Sequence, residues 1–246
     1  MKRNPNKEKT DLTILMPCLN EEENIGYCIA QAQKYLSACA QKAGTGRSFT
    51  GEVLIVDNGS TDRSVGIAKA HGARVVREPR RGYGRALRTG LKRARGDVII
   101  FGDCDSTYDF LHLDPLYRPL AEGRADFMTG NRFGKRGGKP VMEEGAMSLS
   151  HRIGVPFLSI CGRIRYRVGI TDFHCGLRGI RRDALERCAF HTDGMEFATE
   201  MIAEAARRGL RIGQVSVPLR KSRKERTEKL RTVRDGLRHL WYIVKS

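Results

Sequence analysis

The sequence predicts an α/β fold in which a mostly parallel sheet is flanked by helices. Short apolar runs such as "LTILM" and "VLIV" have the length and composition of buried strands, and they alternate with longer segments of helical periodicity. Each predicted strand ends at a polar turn that leads into the next helix. Strands that alternate with helices in this way favour parallel pairing, because each helix returns the chain to the same edge of the sheet.

The first unit is a predicted strand over 12–16 that ends at Pro17 and leads into a helix. Asn20 and Glu23 have the spacing of a capping box, which places the helix start beside them. The helix carries an apolar stripe of Ile25, Ile29, Ala32 and Leu36.

Three more strands are predicted before residue 110. A strand over 53–56 stops at Asp57 and precedes a helix that ends at Gly72. "ARVVREP" predicts a third strand, "GYGRALRTGLKRARG" a helix closed by Gly96, and 98–101 a further strand.

The second half departs from strict alternation. A helix near Pro115 and a short strand in "DFMTGNRF" are followed by an amphipathic segment over 146–168 that predicts a helix. We then expect a helix from about Met195 to Arg208, a strand in "RIGQVSVPL", a basic loop and a final helix near 230–244.

Composition narrows the class of partner. The 246 residues carry 45 Lys and Arg against 28 Asp and Glu, a net charge of +17, so nucleic acid, anionic lipid and a phosphorylated substrate all fit. The seven cysteines form no Cys-x-x-Cys pair, which favours reduced thiols in a cytoplasmic protein. No apolar run approaches the ~20 residues that cross a bilayer, so we expect a soluble protein or one held on a membrane surface.

Acidic clusters follow three predicted strands, at 20–23, 57–62 and 103–105. Ligands of open α/β sheets bind beyond the carboxyl ends of the strands, where like charges need a cation beside them. Asp103 and Asp105 place two carboxylates on one side of an extended loop, which suits Mg²⁺ or Mn²⁺ bridging to substrate phosphates. The alternative is that both aspartates only cap or turn the chain.

The stretch "GYGRALRTG" only partly resembles a dinucleotide fingerprint. Leu87 stands at its third glycine position, so a Rossmann cofactor site is not expected. Gly84 is predicted to lie close to a nucleotide or sugar, and Arg85 and Arg88 either join it there or lie in solvent.

Two later stretches add candidates. Arg132 follows a strand and precedes a Gly- and Lys-rich loop suited to closing over phosphates. Glu196, Glu200 and Glu204 share one helix face, which is typically solvated, and we expect that of Glu204. Glu196 stands at the helix start, where its side chain can point into a cleft.

Taken in order, these stretches resemble family 2 glycosyltransferases of the GT-A fold, and most of all the dolichyl- or polyprenyl-phosphate sugar synthases. The matching stretches are "MPCLNEEENI", "VDNGSTDRS", "GYGRALRTG", "GDCDSTYDF", "GNRF", "TDFHCGLRGIRRDALE", "GMEFATEMI" and "RTVRDGLRHLWYIV". The resemblance implies a GT-A catalytic domain over 11–229. A flexible tail over 1–10 precedes it, and an amphipathic helix over 230–246 lies on the domain or on a membrane surface.

The resemblance also implies roles for residues at the strand ends. The nucleotide pocket would be lined by Pro17, Leu19, Asn20, Glu21, Asp57 and Asp103, with Glu21 near the ribose and Asp57 on the base. Asp105 would be the principal Mg²⁺ or Mn²⁺ ligand beside Asp103. The residue at 107 is Thr where some relatives have a Gln ligand, so a third protein ligand is not expected.

The resemblance implies that Arg132 contacts phosphate and holds the departing nucleoside diphosphate, and that Asp172 and Arg178 order the acceptor side. Arg178 would pair with an acceptor phosphate. Glu196 stands where members that use a hydroxyl acceptor keep a catalytic acidic residue.

The function predicted is inverting transfer of glucose or mannose from a UDP- or GDP-sugar to a polyprenyl phosphate, at the cytoplasmic face of a membrane. A lipid phosphate is already ionised, whereas a hydroxyl acceptor usually needs a base. The alternative is therefore a soluble glycosyltransferase that uses Glu196 as base. An integral-membrane partner or a homo-oligomer stays open. A nucleic-acid partner is not expected, because aromatic residues are only 7% and no recognition motif is present.

The last helix and the 146–168 segment favour the membrane. The apolar face of the last helix is predicted to contain Leu230, Val233, Leu237, Leu240, Trp241 and Val244, with arginines around it. Such a helix can lie in a membrane interface. The alternative is a helix packed on the domain with solvated arginines.

Overall fold

The computed structural model describes residues 10–43, 48–136, 139–140, 142–223 and 232–246. The tail predicted over 1–10 lies outside this part of the chain except for Thr10, which begins the first strand.

Strands and helices alternate as the sequence predicts. The strands are β1 (Thr10–Cys18), β2 (Gly51–Asp57), β3 (Arg74–Arg77), β4 (Gly96–Phe101), β5 (Phe127–Asn131), β6 (Lys135–Arg136), β7 (Lys139–Pro140), β8 (Arg178–Arg181) and β9 (Ile212–Ser216). The helices are α1 (Ile25–Lys42), α2 (Ser64–Ala70), α3 (Tyr83–Arg93), α4 (Asp114–Ala121), α5 (Leu149–Tyr166), α6 (Arg182–Leu185), α7 (Phe197–Arg207) and α8 (Thr232–Lys245).

Seven strands form one sheet in the order β3-β2-β1-β4-β8-β5-β9. β8 runs antiparallel to both of its neighbours, and the other pairs in the sheet are parallel. The predicted α/β fold with a mostly parallel sheet is therefore confirmed. β6 and β7 pair separately, within the Gly- and Lys-rich loop predicted after Arg132.

The sheet is buried on both faces. Side chains alternate along β1, so that Leu12, Ile14 and Met16 join the apolar layer on one face and Leu15 joins the layer on the other. α1 covers the first face, and α3 and α7 cover the second. Coverage on both faces explains why the strands are apolar runs instead of alternating patterns.

Two predicted helix boundaries are wrong. α1 begins at Ile25 after Asn24, without a side-chain cap, because the Asn20 side chain is used elsewhere. Gly96 does not close α3, which ends at Arg93, and is instead the first residue of β4. A Cβ at Gly96 would collide with the backbone of Thr13 on β1, so this glycine allows the two strands to approach.

The last predicted helix is present as α8, which begins at Thr232. Leu230 and Arg231 lie outside the described residues. Within the described ranges, every helix is too short or too polar to cross a membrane.

Candidate functional site

The three predicted acidic clusters meet at one edge of the sheet. Cys18 at the end of β1 is in register with Asp57 at the end of β2, and the Asp103–Asp105 loop follows the neighbouring strand β4. Arg132 follows β5, which runs in the same direction as β4. Because β8 is antiparallel, the 172–177 loop that precedes it reaches this edge as well.

The loops after β1 and β2 are joined by hydrogen bonds to backbone amides. The Asn20 Oδ1 atom accepts from the Thr61 amide at 2.8 Å, and Asp62 accepts from the Glu22 amide at 3.0 Å. The Ser64 hydroxyl accepts from the Glu21 amide at 2.8 Å. These contacts join the two loops, and Glu22 also pairs with Arg63 across them at 3.1 Å.

Asp57, the predicted partner of the base, is buried and closes its own turn. Its Oδ1 atom accepts from the Ser60 amide at 2.9 Å. The next residue, Asn58, was not among the predicted site residues. Its amide group donates to the carbonyls of Glu78 and Arg80, and its oxygen accepts from the Gly82 amide at 2.8 Å. Asn58 therefore positions the segment before α3, and its place directly after a buried strand was the available signal.

The Asp-x-Asp loop is held in a defined conformation. Asp105 exposes 2% of its surface, and its Oδ1 atom accepts from the Thr107 hydroxyl at 2.6 Å and from the Thr107 amide at 3.1 Å. Thr107 thus orients Asp105. Cys104 faces the interior, where its thiol donates to the Pro17 carbonyl at 3.1 Å.

Asp103 faces the loop before β8, at Gly176. A Cβ atom at Gly176 would lie 2.5 Å from Asp103 Oδ2, so this glycine makes room for the carboxylate. The Gly176 amide donates to the Tyr108 hydroxyl at 2.8 Å. Burial, and then the nearby Asp103 charge, raise the pKa of the Tyr83 hydroxyl well above its usual value.

The segment after β9 lies against the same loop. The Arg220 amide donates to the Thr107 carbonyl at 2.9 Å, and the Ser222 hydroxyl donates to the Asp105 carbonyl at 3.0 Å. The Arg220 guanidinium also pairs with Asp109 at 2.7 Å. The predicted basic loop therefore begins in contact with the Asp-x-Asp loop, and its residues 224–231 lie outside the described part of the chain.

Arg132 and Asp172 form a buried ion pair at this edge. Arg132 donates to Asp172 from its amide at 3.1 Å, from Nε at 2.8 Å and from Nη2 at 2.9 Å. The Asp172 side chain is fully buried and that of Arg132 is 11% exposed. Burial opposes ionisation of both groups, but their mutual attraction prevails: the pKa of Asp172 is lowered and that of Arg132 is raised.

Arg178 lies inside the protein. It donates to the carbonyls of Cys175 at 2.8 Å, Ala198 at 2.6 Å and Phe173 at 2.5 Å, and it is 1% exposed. Burial lowers the pKa of this guanidinium. The arrangement holds the loop before β8 against α7, and it does not support the expected contact between Arg178 and an acceptor phosphate.

The glycines before α3 accommodate another loop of the protein. A Cβ atom at Gly84 would lie 2.6 Å from the Thr192 carbonyl oxygen and 2.9 Å from the Phe197 Cβ. Gly84 therefore contacts the 192–194 loop, and its approach to a nucleotide or sugar stays a prediction. Arg85 and Arg88 are half-buried, and both pair with Asp193, at 2.5 and 2.7 Å.

Glu196 stands directly before α7, as predicted, and is 9% exposed. Its Oε1 atom accepts from the Gly194 amide at 3.2 Å, and its Oε2 atom lies 3.6 Å from Arg238 Nε on α8. That Oε2 atom is buried without a hydrogen-bond partner. Glu196 and Arg238 border a cavity of about 390 Å³ that Trp241 also lines.

The other two glutamates of α7 are buried. Glu200 accepts from the His191 and Thr192 amides and from the Thr192 hydroxyl, which holds the 192–194 loop. Glu204 accepts from the Ala189 amide at 3.1 Å and pairs with Arg208 at 2.8 Å. The prediction that Glu204 lies on a solvated face is wrong, because the chain before α7 folds back over that face.

A buried histidine pair connects α8 to this region. The rings of His174 and His239 meet edge to face at 4.4 Å, and His239 Nδ1 lies 2.8 Å from the Thr199 hydroxyl on α7. Burial, followed by the charges of Arg178 and Arg238, lowers the pKa of His239 to about 4. This contact could not be predicted from local pattern, because the three residues are far apart along the chain.

Comparison with known proteins agrees with this architecture. The sequence profile described as "Glycosyl transferase family 2" matches residues 13–189. The chain therefore belongs to glycosyl transferase family 2, which confirms the resemblance found in the sequence.

Two relatives from Haloferax volcanii are named for hexose transfer. The low-salt glycan biosynthesis hexosyltransferase Agl6 is 34% identical over 233 residues, which cover 95% of this chain and 53% of Agl6. The chain thus spans about half of that relative. A dolichyl-phosphate hexose transferase is 29% identical over 212 residues, which cover 85% of this chain and 83% of that protein.

Among solved structures, the glucosyl-3-phosphoglycerate synthase from Mycobacterium tuberculosis has a similar fold. Its complex with Mn²⁺, UDP and glucosyl-3-phosphoglycerate superimposes with a TM-score of 0.71 at 23% identity, over 95% of this chain and 80% of that one. This similarity confirms the GT-A fold.

Proposed function

We propose that this enzyme transfers a hexose from a nucleotide sugar to a polyprenyl phosphate. An oxygen of the lipid phosphate attacks the anomeric carbon of the sugar, and the bond from that carbon to the nucleoside diphosphate breaks. The diphosphate leaves with the bonding electrons, so the anomeric configuration inverts. The observation that carries the proposal is the convergence of Asp57, Asp103 and Asp105 at one sheet edge of a family 2 glycosyltransferase.

The donor would lie across the ends of β1, β2 and β4. Pro17, Leu19, Asn20, Glu21 and Asp57 belong to the loops that border this position. These loops are locked to one another by the amide contacts described above, so the pocket is formed before the donor binds. Pre-formed binding loops lower the entropic cost of binding.

The carboxylates at this edge fit a magnesium or manganese ion. Within the described residues, no three His, Cys, Asp or Glu side chains gather closely enough to hold a metal by themselves. Two hard oxygen ligands, from Asp103 and Asp105, are the set that Mg²⁺ uses when substrate phosphates and water complete its shell. Such an ion would neutralise charge on the departing diphosphate.

Arg132 and Asp172 would act together on the acceptor side. Asp172 accepts two hydrogen bonds from the guanidinium and one from the Arg132 amide, which leaves Arg132 pre-oriented at the edge where phosphates would bind. We assign Arg178 a positioning role, since its three carbonyl contacts hold the loop that contains Asp172.

The polyprenyl acceptor is supported by the relative named dolichyl-phosphate hexose transferase, which aligns over most of both chains. A lipid phosphate also matches the chemistry, because it is already a nucleophile at neutral pH. Such an acceptor would place the enzyme at a membrane surface, on the cytoplasmic side where nucleotide sugars are available.

A second candidate is transfer to a hydroxyl group with Glu196 as base. It is favoured by the position of Glu196 at the start of α7 and by its buried Oε2 atom, which has no hydrogen-bond partner among the described residues. The M. tuberculosis neighbour, whose complexes contain UDP-glucose and phosphoglyceric acid, gives this candidate a structural precedent.

A thermal-shift panel of nucleotide sugars with Mn²⁺ tests the donor site. The correct donor should stabilise the wild type and the control Asp183→Asn, but not Asp105→Asn, because Asp183 lies at the opposite sheet edge. Chelation of the metal should remove the shift. Equal shifts in all three proteins would contradict the proposed metal site.

The acceptor is tested by transfer of radiolabelled sugar. We expect label in an organic-extractable product when a polyprenyl phosphate is supplied, and Glu196→Gln should retain most of that rate. Label only in water-soluble acceptors, abolished by Glu196→Gln while donor binding survives, would establish the second candidate instead.

A further inference from the structure

Exposed large apolar side chains are concentrated on two helices. α5 exposes Leu149, Ile153, Phe157, Ile160 and Ile164, each between 52% and 75%. α8 exposes Leu237, Trp241 and Val244, each between 62% and 70%. Elsewhere in the described ranges, Phe133 is the one other member of this group, at 36%. Such a concentration is unusual, because exposed apolar residues on monomeric proteins are normally scattered singly.

These side chains form a continuous stripe on each helix. On α5 they recur every three or four residues, which places them along one face, while Val155 and Leu158 are buried on the other. α8 likewise buries His239 and Ile243 and exposes the opposite side. The two helices pack together, and the Tyr166 and Ser246 hydroxyls join their ends at 2.6 Å. We refer to the two stripes as the α5–α8 face.

The alternative that α8 packs on the domain therefore holds for the side of the helix that contains His239 and Ile243, but not for its exposed apolar side. Of the six apolar residues predicted for its outer face, Leu237, Trp241 and Val244 are exposed and Leu240 is half-buried. Leu230 lies outside the described residues, as does the side chain of Val233.

The α5–α8 face is also basic. α5 contains no acidic residue, and its Arg152, Arg163 and Arg165 are exposed, as is Arg167 directly after it. α8 adds the exposed Arg234, Arg238 and Lys245 against one acidic residue, Asp235. An open groove of about 460 Å³ on α5 is lined by Ile160, Ile164 and Val168 together with Arg163 and Arg167. Apolar side chains beside guanidinium groups are suited to acyl chains beside anionic headgroups.

We propose that the α5–α8 face docks on an anionic lipid bilayer, with the apolar stripes inserted at the headgroup level and the arginines on lipid phosphates. A second copy of the chain is a poorer occupant. A twofold contact would bring the arginines of both copies together, with almost no acidic residues on either face to compensate them.

Docking in this orientation connects the membrane with the candidate site. The cavity that Glu196 borders is also lined by Trp241, which belongs to the α5–α8 face, and by the neighbouring Lys245. An acceptor phosphate at the bilayer surface would thus reach Glu196 and Arg238 without leaving the interface. This connection rests on the proposed function, whereas the docking itself does not.

Sedimentation with vesicles that lack any polyprenyl phosphate tests the docking alone. Wild-type protein should bind vesicles of phosphatidylcholine with about one third phosphatidylglycerol far better than pure phosphatidylcholine, and less well as salt screens the charges. Ile164→Asp should weaken binding about tenfold or more, since it removes an inserted apolar side chain. Trp241→Ala should also weaken it, and both residues are exposed enough that folding should be unaffected.

Charge is tested by a matched pair of reversals. Arg163→Glu on the face should weaken binding by at least about fivefold, whereas Arg124→Glu, an equal change in net charge on the exposed turn after α4, should have a much smaller effect. Equal losses in the two variants, or no vesicle binding by folded wild-type protein, would overturn the proposal. So would a dimer in analytical ultracentrifugation that Ile164→Asp converts to a monomer.

The vesicle-binding test of docking can fail or succeed independently of the transfer assay that tests the proposed acceptor. Transfer to a detergent-dissolved polyprenyl phosphate requires the acceptor chemistry but not the bilayer. Wild-type protein that has this activity but does not bind vesicles would refute docking alone, and wild-type protein that binds vesicles but lacks this activity would refute the acceptor alone.

Discussion

The buried ion pair between Arg132 and Asp172 makes a quantitative prediction. Asp172→Asn keeps the shape of the side chain but leaves the Arg132 guanidinium, 11% exposed, without its counter-charge. Arginine cannot release its proton to escape this situation. Removing one partner of a buried pair costs about 3–5 kcal/mol, so we expect the free energy of unfolding to fall by that amount.

The chain contains a matched control. Arg211 donates to Asp126 from the same three groups, its amide, Nε and Nη2, at 2.9, 3.0 and 2.6 Å. That pair differs chiefly in burial, because the Arg211 side chain is 58% exposed. Asp126→Asn leaves a guanidinium that water can solvate, and pairs of this exposure are worth about 1 kcal/mol or less.

Urea denaturation of the wild type and both variants measures the difference. We expect Asp172→Asn to lose at least about 2 kcal/mol more than Asp126→Asn, with little change in the denaturant slope. Adding Arg132→Met to Asp172→Asn should restore part of the loss, because the unpaired charge is then gone. Equal losses in the two single variants, or no recovery in the double variant, would refute the electrostatic reasoning.

Three further predictions concern the contacts around α7. Gly84→Ala should destabilise the protein by about 1–3 kcal/mol in thermal or urea denaturation, because the added methyl group meets the Thr192 carbonyl. The control Gly66→Ala should be neutral or stabilising, because Gly66 lies on a helix with open space around it. Glu200→Gln should cost about 1–3 kcal/mol in the same assay, since it weakens three hydrogen bonds to a charged acceptor; an unchanged midpoint would contradict this role. His239 has a pKa lowered from 6.5 to about 4, so the unfolded state binds a proton over this interval while the folded state does not. Wild-type stability should therefore fall as the pH drops from 6.5 to 4, and His239→Gln should remove about 3 kcal/mol of that fall, as measured by urea denaturation at each pH.

The sequence was sufficient where structure follows from local pattern. The apolar runs of β1, β2 and β4 predicted buried parallel strands, and the polar turns after them predicted where Asp57, Asp103 and Asp105 would meet. The second prediction is correct because the carboxyl ends of parallel strands lie at the same edge of the sheet. The helix bounds were less accurate: Asn20 fitted a capping box, but its side chain is bound by the loop after β2, 41 residues away.

Roles that depend on a distant partner could not be predicted. Arg85 and Arg88 were expected either at a ligand or in solvent, and both pair with Asp193, more than a hundred residues away. Glu204 fitted a solvated stripe, yet the chain before α7 covers it. Periodicity identifies which residues share a helix face, but it does not reveal which loop will cover that face.

By itself, the sequence determined the class of fold, the family and the edge of the sheet at which the site lies, since strand pattern and motif order depend on neighbouring residues. Only the tertiary structure decided the environment of each charged group. In the folded protein Arg178 is buried among carbonyl groups, Arg132 forms an ion pair with Asp172, and the apolar stripes of α5 and α8 are exposed. The physical reason is that burial and counter-charge are set by segments remote in sequence, and these two quantities determine what a charged or apolar side chain can do.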